Sequence, residues 1–89
     1  MLIALIARDK PGALQIRLDT RDAHLAYLKS SGSVSQAGPL LDGDGQMCGS
    51  LVILEVEDMA GAQAWAAADP YANAGLFEHV DLISWKKVI

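Results

Sequence analysis

Apolar and polar positions alternate along the chain in two periods, and the order of those periods predicts the elements. Leu2 to Ala7 is apolar at every position and is closed by Arg8-Asp9-Lys10-Pro11-Gly12. A short unbroken apolar run ended by Pro-Gly predicts a strand covered on both faces. From Leu14 to Leu28 the spacing becomes helical, with Leu14, Leu18, Leu25 and Leu28 on one stripe and room for an irregularity between Leu14 and Thr20. Ser30-Ser31-Gly32 stops this helix, with Gly32 as its left-handed cap. Val34 to Leu41 is a weaker strand whose Pro39 assigns it to a sheet edge or a bulge. Asp42-Gly43-Asp44-Gly45 is a turn, and Gly49 to Glu57 follows as its hairpin partner, apolar on both faces at Leu51-Val52-Ile53-Leu54. Asp58 caps a second helix that runs to about Ala68 and gathers Met59, Ala62, Trp65, Ala66 and Asp69 on one side. Pro70 ends it. A loop with Tyr71, Asn73 and Gly75 then leads to a last strand, Phe77 to Trp85.

The order is β-α-β-β-α-β, the split-βαβ or ferredoxin-like arrangement: an α+β fold with a four-stranded antiparallel sheet and two helices on one face. Two helices cover only one face of such a sheet, yet the first and third strands are apolar on both. The remaining face needs a cover, and a second copy of the same face is the simplest one. A homodimer is therefore expected.

Composition sharpens this expectation. The chain has 89 residues, enough for one domain over 1–89. A domain of this size buries only about 60–65% of the surface its unfolded chain exposes. Yet 52% of its residues are apolar, more than a small monomer readily hides. The net charge is −4, and seven Lys and Arg are scattered apart from Lys86-Lys87, so no phosphate-neutralising surface is expected and no nucleic-acid partner. The opening apolar run is too short for a membrane span or a signal peptide, and a single cysteine, Cys48, suits a reducing compartment. The sequence reads as a cytoplasmic protein without membrane contact.

Candidate chemistry begins on the first helix. Arg21 falls inside its leucine stripe, and Arg17 and His24 lie on the border. A charge in an apolar stripe is costly unless it meets an anion or a carboxylate. Two guanidinium groups beside a histidine favour a small anionic ligand; the competing reading pairs Arg21 with Asp19, Asp22 or a carboxylate at a dimer seam. Asp69 is the second oddity. A carboxylate in the last turn of a helix faces the negative end of the helix dipole, at a typical cost of a few tenths to about 1 kcal/mol. Either it meets a partner from the first helix, with His24 the natural one, or it hydrogen-bonds loop amides in Asp69-Pro70-Tyr71. Ser50, opening the third strand, and Tyr71 and Trp65 are candidate lining residues. His79 alternates with Phe77, Asp81 and Ile83 and reads as a packing or interface residue. No ligand set at metal spacing and no phosphate loop is present, so no metal and no cofactor are expected.

Several segments together resemble the YCII-related, or YciI-like, family over essentially the whole chain. They are Asp9-Lys10-Pro11 after the first strand, Arg21 to Leu28, Ala37 to Asp42, Gly49-Ser50-Leu51, Ala68-Asp69-Pro70-Tyr71, Ala74-Gly75-Leu76-Phe77 and Trp85-Lys86-Lys87. The resemblance implies a ferredoxin-like protomer that dimerises as an α+β barrel, similar to muconolactone isomerases. It also implies a histidine–aspartate dyad, which falls on His24 and Asp69. The resulting expectation is a small enzyme. His24 would serve as general acid or base, Asp69 would orient it, and Arg17, Arg21, Ser50 and Tyr71 would bind a small anionic molecule undergoing proton transfer, elimination or isomerisation. The alternative is a binding or regulatory module that holds the same anion without turnover.

Overall fold

Strand β1 (Leu2–Asp9) lies inside a four-stranded antiparallel sheet of order β2-β3-β1-β4, in a computed structural model that describes residues 1–89. Its neighbours are β3 (Met47–Glu55) and β4 (Phe77–Trp85), and β2 (Val34–Leu41) forms the far edge, as Pro39 suggested. Two long helices, α1 (Leu14–Ser31) and α2 (Met59–Ala68), and a single-turn helix α3 (Pro70–Asn73) complete the chain.

The strand alternation sorts the sheet into two faces. Ile3, Leu5 and Ala7 pair with Leu54, Val52 and Ser50 and point toward the helices. The apolar members of this set pack with Ala62 and Trp65 of α2 to form the main core. Each large side chain buried there contributes roughly 1.5–3 kcal/mol relative to exposure. On the opposite face Leu2, Ala4 and Ile6 lie beside Ile53, Leu51, Ile83 and Trp85. No helix covers this face: Leu51, Ile83 and Trp85 are among the exposed large apolar residues.

The local signals behave as their chemistry demands. Gly32 takes the left-handed conformation at φ 71° and ends α1. The Asp58 carboxylate accepts from the Gly61 amide at 2.8 Å and starts α2. In the β2–β3 turn, Gly45 carries the positive φ. Gly49 has no room for a side chain, because a Cβ there would run into the Ala7 carbonyl; this close approach seats Ser50 against β1.

Three expectations need correction. First, α1 is one unbroken helix from Leu14, since no Pro or Gly interrupts it. Second, the segment after Pro70 is a helical turn and not a loop. Pro70 occupies its first turn, where a missing N–H costs nothing, and Asp69 caps it. Third, the leucine stripe does not mark the buried side of α1. Its two buried residues are Arg17 and His24, whereas Leu18 is 48% exposed and Arg21 is exposed. Hydropathy ranks arginine and histidine as surface residues; here each meets a carboxylate from another element, which offsets much of the cost of burying it.

Candidate active site

Residues seven apart on a helix share a face, separated by about two turns or ~10.5 Å. Arg17 and His24 stand in this relation. The aromatic ring of Tyr71 packs against both: its centroid is 3.8 Å from that of His24, at an interplanar angle of 15°, and 4.7 Å from the Arg17 guanidinium carbon. Phe77 meets the same tyrosine edge-on at 6.0 Å. Tyr71 is 2% exposed, and burial pushes its phenol above the ordinary value, an effect the charges of Arg17 and Arg21 partly oppose. The hydroxyl therefore stays protonated at neutral pH.

Asp69 occupies the junction between α2 and α3, and its position resolves the dipole puzzle. Its backbone is extended, at φ −61° and ψ 127°, as a residue before proline prefers. From there the carboxylate turns toward the N-terminus of α3, where negative charge is favourable. Oδ1 accepts the Tyr71 amide at 3.0 Å and also meets His24 Nδ1 at 2.8 Å. Both readings of Asp69 thus hold at once: it bonds a backbone amide and it faces the histidine. A carboxylate oxygen only accepts, so Nδ1 is the nitrogen that carries the proton. That leaves Nε2 as the acceptor of the neutral ring. Nε2 makes no hydrogen bond within the protein, and no buried side-chain nitrogen or oxygen is without one, so Nε2 retains access to solvent.

The two helices are held at the right spacing by contacts one turn further along. The Tyr27 hydroxyl donates to the Trp65 carbonyl at 2.8 Å, and Trp65 Nε1 donates to Ser31 Oγ at 3.0 Å. Asp69 follows Trp65 by one helical turn, so these bonds set the distance between His24 and the carboxylate.

Arg17 has a fixed partner. Its Nε donates to Asp9 Oδ2 and its Nη2 to Asp9 Oδ1, both at 2.8 Å, and Nη2 also donates to Ser50 Oγ at 3.0 Å. Burial alone would lower the guanidinium pKa; the hydrogen bonds and charge of Asp9 reverse this and raise it. The sequence reading did not single out Asp9. The signal was present in the strand alternation, because Asp9 follows the core residue Ala7 by two and so points to the same face. Arg21 differs from Arg17: it makes no ion pair within this chain, where neither Asp19, Asp22 nor another carboxylate takes it.

These side chains surround a cavity of about 90 Å³ between α1 and the β2–β3 half of the sheet. Arg17, Arg21, His24, Ser50 and Tyr71 supply its polar and aromatic lining, and Leu25, Leu28, Pro39, Met47 and Val52 its apolar wall. Asp69 stands behind His24 and does not line it. Of the remaining residues considered, His79 lies on the uncovered sheet face, where Nε2 is 2.9 Å from Asp81 Oδ1, away from this cavity.

A ferredoxin-like fold with a carboxylate-backed histidine on a small half-apolar cavity defines the class of protein. The chain belongs to the YCII-related domain family, whose model matches residues 1–86. It is 43% identical over 97 aligned positions to protein YciI of Escherichia coli O6:H1, covering 99% of each chain. It is 36% identical to an uncharacterized protein of Haemophilus influenzae, again over 99% of each. Among solved structures it is similar to 5-chloro-2-hydroxyhydroquinone dehydrochlorinase from Burkholderia phenoliruptrix, determined in complex with 2,5-dihydroxybenzoquinone. That match has a TM-score of 0.89 and 36% identity, and covers 97% of this chain and 94% of the other.

Proposed function

We propose that this chain is a small enzyme in which His24 moves a proton to or from a small oxygen-bearing anion, in an elimination or isomerisation. The observation that carries the reading is the 2.8 Å bond between His24 Nδ1 and Asp69, with Nε2 left unbonded and accessible. Asp69 holds the ring in one tautomer and stabilises the imidazolium formed when Nε2 takes the proton. Because Arg17 is already paired with Asp9, Arg21 is the cation that receives the negative charge of the substrate. The similar dehydrochlorinase supports the reaction class, since loss of HCl from an organic molecule requires a base for the proton. His24 is the residue placed to act as that base.

The test is chloride release from 5-chloro-2-hydroxyhydroquinone by wild type and by Asp69→Asn. An asparagine keeps an oxygen at the place of Oδ1, which takes both the Tyr71 amide and the imidazole N–H, so the fold and the tautomer survive and only the charge is lost. Hydrogen bonds to charged groups are worth about 1.5–3 kcal/mol against about 1 for neutral ones, so a rate reduction of roughly tenfold is expected. Equal rates for the two proteins would sink the dyad, and a site that binds 2,5-dihydroxybenzoquinone without any chloride release would point to a binding module.

The same reading includes a homodimer in the cytoplasm. A groove of about 440 Å³ on the uncovered sheet face, lined by Ala4, Ile6, Leu51, Ile53 and Trp85, supports self-association through that face. Sedimentation at micromolar concentration should give twice the 9.4 kDa chain mass. Leu51→Glu combined with Ile83→Glu should return the mass of one chain. A wild-type monomer under those conditions contradicts the proposal.

A further inference from the structure

Ser50 has a hydrogen-bonding role that the protein leaves unfilled. It sits on the helix side of β3 opposite Ala7, is 3% exposed, and lines the cavity with His24. Its Oγ accepts from Arg17 Nη2 at 3.0 Å. A serine hydroxyl has one proton to give and two lone pairs to receive with. Accepting from the guanidinium turns the proton away from Arg17, and the bond from Arg17 is the one side-chain hydrogen bond that Ser50 makes within the protein. His24 does not: its one side-chain hydrogen bond is to Asp69.

Arg17 is not free to serve a ligand in place of Ser50. Two bonds of 2.8 Å lock its guanidinium plane to Asp9, and the ring of Tyr71 packs against it. What Arg17 does contribute is polarisation. A chain of hydrogen bonds running from a cation through a hydroxyl makes that hydroxyl a stronger donor. The order Asp9, Arg17, Ser50 is such a chain, and it ends at the cavity.

We propose that Ser50 is the donor that binds a carbonyl or enolate oxygen of the substrate, with Arg17 and Asp9 as positioning residues that aim its O–H into the cavity. This narrows the substrate class of the site to molecules that present a carbonyl or enolate oxygen to Ser50. Removing a proton beside a carbonyl leaves charge on that oxygen, and a preset donor stabilises it. The inference rests on this cavity being the ligand site, and not on His24 taking the proton.

The experiment is calorimetric titration with 2,5-dihydroxybenzoquinone of wild type, Ser50→Ala, Arg17→Lys and the double variant, each first shown to be folded by circular dichroism. Ser50→Ala should fold, because Arg17 keeps both bonds to Asp9. Its affinity should fall about tenfold or more, the usual loss for a donor to a charged oxygen. Lysine cannot fork to Asp9 and Ser50 together, so Arg17→Lys should lose a similar factor. Since Arg17 acts through Ser50, the double variant should bind no more weakly than Ser50→Ala alone, an outcome that a merely structural role does not produce. Absence of saturable binding to wild type, or affinity of Ser50→Ala within about twofold of wild type, overturns the proposal. Additive losses in the double variant overturn the positioning role. Unchanged chloride release in a His24 variant, alongside lost affinity in Ser50→Ala, removes the dyad and leaves Ser50 in place.

Discussion

Arg17→Met should destabilise the protein by about 3–5 kcal/mol, the usual cost of leaving a buried charge without its partner. The Arg17 and Asp9 side chains are 3% and 6% exposed, and Asp9 keeps no other side-chain donor once the guanidinium is gone. Methionine fills much of the volume of the arginine stem but supplies no hydrogen bond. For a domain of this length about 1 kcal/mol corresponds to 4–8 °C, so thermal unfolding should move down by at least about 12 °C. Chemical denaturation of the single variants and of Asp9→Leu with Arg17→Met closes the cycle. The double variant should recover most of the loss, because replacing both members of a buried pair removes the stranded charge. If Arg17→Met unfolds within about 1 kcal/mol of wild type, the pair is not the buried strut its geometry indicates.

His24→Asn should reduce chloride release from 5-chloro-2-hydroxyhydroquinone by about 10²- to 10⁴-fold, the range general acid–base groups supply. The asparagine amide is a fair replacement for the Nδ1–H donor and so keeps Asp69 satisfied, but it offers no group that accepts and then releases a proton. The stacking with Tyr71 is also lost, so the variant must be compared at equal folded concentration. Binding of 2,5-dihydroxybenzoquinone should change far less than the rate, because the ligand contacts assigned to Arg21 and Ser50 remain. A rate within a few-fold of wild type would place the chemistry on another residue.

The elements that the sequence made legible are those whose signals are local. The unbroken apolar run of β1, the Asp-Gly turn before β3, Gly32 after α1 and Asp58 before α2 each carry their own structural reason within a few residues. The single turn α3 was hidden, because a helix of four residues has no periodicity to read and Pro70 serves equally as an end and a beginning. The burial of α1 was misread for a different reason. Its leucines define a stripe by hydropathy, yet the buried pair is Arg17 and His24, whose partners Asp9, Ser50 and Asp69 are 8, 33 and 45 residues away. No local window contains the pairs with Ser50 and Asp69, and Asp9, though near in sequence, lies on another element across the Pro-Gly turn. The sequence put Arg21 inside the stripe and Arg17 on its border and offered a carboxylate to Arg21, but it is Arg17 that Asp9 takes, leaving Arg21 without an ion pair in this chain, on the cavity.

The site also shows why the uncomfortable position of Asp69 was informative. A carboxylate at the end of α2 was an anomaly while only one helix was in view. With α3 in place it is a cap, and the same oxygen that satisfies the Tyr71 amide fixes the imidazole. Tyr71 then acts on both partners, its amide on the carboxylate and its ring on the histidine. Fold and site are joined at this corner: the turn that redirects the chain toward β4 is also the device that orients His24.

The tautomer of His24 tests that claim most directly, and proton–nitrogen NMR correlation spectra of the imidazole ring report it without any substrate. With Asp69 accepting from Nδ1, the neutral ring should show the proton on Nδ1 and a bare, unprotonated Nε2 turned toward the cavity. A neutral ring protonated on Nε2, with Nδ1 bare beside Asp69, would contradict a carboxylate-held base and with it the proposed proton transfer.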